Sequence, residues 1–77
     1  MNRELQEYYE TSFEMFASKG WNFLIEDLKK VEESLSNIRT VEDAQTLHYR
    51  QGQMAILDLL FQRKATCEKV YEELLND

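Results

Sequence analysis

The chain of 77 residues has no proline, its only glycines are Gly20 and Gly52, and cysteine and histidine occur once each, at Cys67 and His48. So few breakers predict helices joined by short connections. A single cysteine excludes an internal disulfide. One Cys and one His fall short of the four ligands of a structural zinc site, and the Glu-x-x-His pairs of carboxylate-bridged metal bundles are missing. Gly-rich phosphate loops, nucleophile elbows and zinc signatures are also absent. His48 has no partner with which to act as a base. Cys67 sits next to Glu68, which opposes thiolate formation, and it reads as a small core residue. The expectation is therefore no enzyme, no catalytic residue, no metal and no cofactor.

Basic residues are the next shortage, at 9 Lys and Arg against 15 Asp and Glu, a net charge of -6. Phosphate recognition needs clustered Lys and Arg, so nucleic acid is disfavoured as a partner, and so is an anionic membrane surface. The longest apolar run, Ile56-Leu57-Asp58-Leu59-Leu60-Phe61, is too short to span a bilayer and carries a charge. Met1-Asn2-Arg3-Glu4-Leu5 lacks the apolar core of a signal peptide. With a lone thiol, this predicts a cytosolic protein.

What is present is a set of amphipathic helices. Leu5, Tyr8, Tyr9, Phe13 and Phe16 follow the i, i+3, i+4 spacing of one face and predict a helix over 2–17. Ser18-Lys19-Gly20 predicts a break or sharp bend, with Ser18 as a cap and Gly20 permitting the change of direction. Trp21, Leu24, Leu28, Val31, Leu35 and Ile38 alternate steps of three and four, a heptad seam that predicts a helix over 20–38. Thr40 before Val41-Glu42-Asp43 reads as the cap of a third helix over 41–75, uninterrupted except at Gly52.

Lengths then suggest an arrangement. At about 1.5 Å per residue the third helix spans roughly 50 Å and the second only about 27 Å. The fold expected is all-α: a helical hairpin or three-helix arrangement, coiled-coil-like, with a long C-terminal helix packed by two shorter ones. A chain this short buries a small core, so oligomerisation or docking on a larger partner is the expected source of further stability.

Candidate interaction residues follow from the faces. The aromatics Tyr9, Phe13, Phe16 and Trp21 are either core or a hot spot for a partner. Leu59, Leu60, Val70 and Leu74 need covering by the first helix or by another chain. His48, Arg50 and Gly52 lie in the unusual stretch His48-Tyr49-Arg50-Gln51-Gly52-Gln53. That stretch is a polar recognition patch, a buried network facing Trp21, or a mostly solvated face in which Gly52 makes room for a bulky aromatic. Glu4, Glu7, Glu10 and Glu14 form an acidic face, either solvated or able to imitate a phosphate row.

Three stretches together carry a resemblance. Tyr8-Tyr9 with Met15-Phe16-Ala17-Ser18-Lys19-Gly20-Trp21, then Ile25-Glu26-Asp27-Leu28, then Leu47-His48-Tyr49-Arg50-Gln51-Gly52-Gln53, in that order, resemble short acidic helical proteins of tailed bacteriophages, notably short-tailed ones. The resemblance implies a phage setting, in the host cytoplasm or the virion, and no activity. On this reading the chain is a non-enzymatic interaction or virion-assembly component that packs on itself or on a phage structural protein. The alternative is a small acidic inhibitor of a host enzyme, defence protein or DNA-binding protein.

Overall fold

The computed structural model describes residues 1–76, and they are helical almost throughout. The helices are α1 (Arg3–Phe16), α2 (Lys19–Leu35), α3 (Ala44–Phe61) and α4 (Arg63–Leu75), with a short 3-10 turn at Ile38–Thr40. The all-α expectation holds, but with four α-helices rather than three.

The starts of α1, α2 and α3 are each set by a side chain that takes up a free backbone N–H, whereas α4 has no side-chain cap. The Asn2 carboxamide oxygen accepts from the Leu5 N–H at 2.8 Å, and the Ser18 hydroxyl accepts from the Trp21 N–H at 3.1 Å. Ser18 also donates to the Met15 carbonyl at 2.7 Å. One hydroxyl thus closes α1 and opens α2, and the predicted break lies at Ala17–Ser18. Gly20 does not make the turn: it lies inside α2, and no glycine among the described residues has positive φ.

Three boundaries differ from those expected. The second helix ends at Leu35 rather than 38. There the Ser36 hydroxyl turns back onto the Glu32 carbonyl at 2.8 Å, and the Asn37 side chain accepts from the Arg39 N–H at 3.1 Å. Short polar side chains compete with the helical ladder in this way. Ile38, the last residue of the seam, is consequently 79% exposed.

The cap of α3 is Asp43, not Thr40: its carboxylate accepts from the Thr46 N–H at 2.7 Å. A charged acceptor facing a helix N-terminus outcompetes a hydroxyl. Thr40 is engaged elsewhere, donating to the Asn37 carbonyl at 2.8 Å and accepting from Arg50.

The long third helix is divided at Gln62 (φ -92°, ψ -4°), which separates α3 from α4. No proline or glycine lies at the division. Its cause is tertiary: α3 packs on α2 whereas α4 packs on α1, and one straight rod does not follow both neighbours. The ladder is bridged, since the Gln62 N–H reaches the Asp58 carbonyl at 3.0 Å and its carbonyl receives the Thr66 N–H at 2.9 Å.

The Cα atoms span 50 × 26 × 17 Å. The molecule is therefore elongated, and buried apolar residues are few among the described residues: Phe16, Leu57 and Cys67.

The Asp43 cap gives a pH-dependent test. Its hydrogen bonds from the Thr46 N–H and hydroxyl hold the carboxyl below the usual carboxylate range. The folded state therefore binds this proton less readily than the unfolded chain. The cap's contribution is complete above the unfolded pKa of about 3.9 and is lost as pH falls through the lower folded value. Asp43→Ala should lower the thermal midpoint at neutral pH by about 4–8 °C. Asp43→Asn should stay close to wild type at neutral pH and lose less on acidification below about pH 4, measured by circular dichroism melting.

Candidate interaction surface

A continuous aromatic junction joins α1 to α4 and α2. Tyr9 and Phe13 both rest on Tyr71 of α4, with ring centroids 5.8 and 5.3 Å away. Phe13 approaches Phe16 at 6.5 Å, and Phe16 meets Trp21 of α2 edge-on at 5.0 Å. Offset and edge-to-face pairs at these separations contribute beyond simple burial. At the far end Arg63 Nη2 donates to Tyr8 Oη at 2.6 Å, tying the first turn of α4 to α1. This bond is the chief reason the guanidinium pKa is raised.

The candidate aromatics therefore hold the fold together. Phe16 is buried, and Tyr9, Phe13 and Trp21 are half-buried. Beside them a groove of about 450 Å³ runs along α4, lined by Phe13, Phe16, Tyr71 and Leu75 next to Glu68 and Glu72.

Among the other candidates, Leu60, Val70 and Leu74 are half-buried, while Leu59 is 64% exposed. In the polar stretch, His48, Tyr49, Gln51 and Gly52 face solvent. His48 Nδ1 lies 3.4 Å from the Gln51 Oε1 atom and forms no buried network with Trp21. Arg50 is half-buried and braces the α2–α3 connection, donating to the Asn37 carbonyl at 3.2 Å and to Thr40. Gly52 makes room for nothing within the chain: a Cβ there would meet no neighbouring atom within 4 Å.

The surface that remains carries many large apolar side chains. Among the described residues, Phe23, Leu24, Val31, Leu47, Tyr49, Ile56, Leu59 and Leu75 are all exposed large apolar side chains. Sequence reading singled out only Leu59 of these. For Leu47, Tyr49 and Ile56 the signal was a local dearth of charge: from Ala44 to Phe61 only Arg50 and Asp58 are charged, although 31% of the chain is.

The described residues contain no group of three or more His, Cys, Asp or Glu placed to hold a metal ion. No described helix is long and apolar enough to cross a membrane. No protein-family model, curated protein or solved structure matches this chain.

Tyr71 should be the most sensitive position of the aromatic junction. Tyr71→Leu keeps an apolar side chain but removes two ring contacts, and should cost about 1–3 kcal/mol in urea unfolding. Phe23→Leu, on the exposed side of α2, should stay within about 0.5 kcal/mol of wild type.

Proposed function

We propose that this chain is a non-enzymatic interaction protein of a tailed bacteriophage, working by apolar helix packing as an oligomer or as a subunit of a larger assembly such as the capsid or the portal and tail machinery. The observation that carries this reading is surface that the fold leaves uncovered. The chain exposes 6360 Å². A compact monomer of 9.2 kDa exposes only about 4,900 Å², so roughly 1,400 Å² is in excess. Phe23, Tyr49, Ile56, Leu59 and Leu75 are each more than 60% exposed, and contiguous apolar surface marks sites of association where it forms a patch.

The alternative is an acidic inhibitor of a host protein. Glu4, Glu7, Glu10 and Glu14 are all exposed along α1 and present a row of carboxylates to a basic target. The two readings separate on salt. Exposed charge pairs weaken as the screening length shortens, and apolar contacts do not.

On the assembly reading, mass spectrometry of purified particles of the source phage finds the chain at a fixed copy number. It stays attached through a molar-salt wash, and the triple substitution Glu7→Gln, Glu10→Gln and Glu14→Gln leaves the attachment intact. Clean absence from particles, with a host protein captured at low salt and released at high salt, supports the inhibitor instead.

A further inference from the structure

Along the outer side of α3, Tyr49, Gly52, Ile56 and Leu59 recur at spacings of three and four, with Ala55 beside them, so they form one stripe. All five are exposed, Tyr49 at 70%, Ile56 at 61% and Leu59 at 64%. The stripe carries no Asp, Glu, Lys or Arg; His48, exposed about 40° around from Gly52, is its one titratable imidazole. Arg50 and Asp58 sit about 160° and 120° around the helix from Gly52. Alongside, between α2 and α3, Val31, Leu35, Gln53, Ile56 and Leu57 line an apolar groove of about 280 Å³.

Gly52 is the informative residue. It lies at the middle of α3, where glycine costs about 1 kcal/mol relative to alanine, and nothing in the chain makes use of its missing side chain. A second helix crossing closely over the stripe would use it.

We infer that this stripe is a two-fold interface with a second copy of the chain, the two α3 helices crossing near Gly52. The inference rests on the interaction reading above and names its partner. Three observations select a second copy. The first is charge. Two chains of net charge -6 repel, and an uncharged stripe is where they meet with least opposition. A basic partner finds no carboxylate on it. The second is area. The whole chain exposes roughly 1,400 Å² more than a compact monomer of its mass, and the stripe is part of that uncovered surface; for two chains the excess is of the size an obligate homodimer buries, about 2,000–5,000 Å². The third is shape. The radius of gyration is 16.5 Å, whereas a compact chain of this length has about 11.5 Å and one of twice the length about 15 Å. A second copy crossing over α3 covers apolar side chains that this elongated molecule leaves exposed.

Sedimentation equilibrium of the purified chain tests this. The expected mass is twice 9.2 kDa, undiminished in molar salt. Ile56→Lys with Leu59→Lys should return the mass to 9.2 kDa while the helical circular dichroism is kept, since both side chains are exposed. Gly52→Leu is an independent variant because it favours the helix itself: it should raise the dimer dissociation constant roughly tenfold or more by overfilling the crossing. A wild-type mass of 9.2 kDa at high micromolar concentration overturns the inference, as does a dimer indifferent to all three substitutions. If the isolated chain is monomeric yet present in phage particles at fixed copy number, the second copy is refuted and the assembly reading stands.

Discussion

The two hydrogen bonds of the Ser18 hydroxyl, given to the last turn of α1 and received from the first turn of α2, set where every other helix goes. A turn this short brings Phe16 and Trp21 against one another, and Phe16 becomes one of the few fully buried side chains. Once Phe16 is fixed, the periodicity of α1 directs Phe13 and Tyr9 to the same side, and Tyr71 of α4 closes over both. The α2–α3 connection has its own brace in Arg50, which bonds Asn37 and Thr40. The fold is thus held at two joints, one aromatic and one polar, rather than by a central core.

The division at Gln62 follows from the same economy of contact. The C-terminal half of the chain serves two partners in succession, α2 and then α1. A rod rigid over its whole length would match one and miss the other. A one-residue departure to ψ near zero relieves this without breaking the ladder on either side. The Tyr8–Arg63 bond lies at the division and fixes how α4 leaves it.

Much of this was legible in the residues. Scarce glycine and absent proline announce helices, and apolar spacing locates the first two within a few residues. The break after Ala17 follows from Ser18 as a cap. Three features were not legible. The heptad from Trp21 runs through Ile38 on paper, but Ser36 and Asn37 offer the backbone competing hydrogen bonds. Thr40 and Asp43 are both good caps by residue type; the charged acceptor takes the helix start, and Thr40 is held instead by Asn37 and by Arg50 from ten residues away. The division at Gln62 depends on which helix packs where, and no local pattern reports it. The surface was harder still. Aromatic residues attract attention as contacts, yet here they form the internal joints, and the exposed apolar stripe on α3 consists of ordinary residues.

That stripe bears on why a fold with so few buried side chains is tolerated. Folding α1–α4 buries Phe16, Leu57 and Cys67 and leaves most other described apolar side chains partly wet. Stability in water is a small difference between large terms, and a chain of this size has little surplus. A surface helix with free choice of sequence would carry mostly charged residues on its outer side, and α1, α2 and α4 are each far richer in charge than α3. On its outer side, beyond Gln45 and His48, α3 instead carries Tyr49, Gly52, Ala55, Ile56 and Leu59. Glycine at the middle weakens the isolated helix, and the apolar residues around it lower solubility. Both costs reverse sign when the stripe is covered, because close approach and apolar contact are then gained together. The same residues that make α3 a poor surface helix therefore make it a good interior one, with the interior completed from outside the chain.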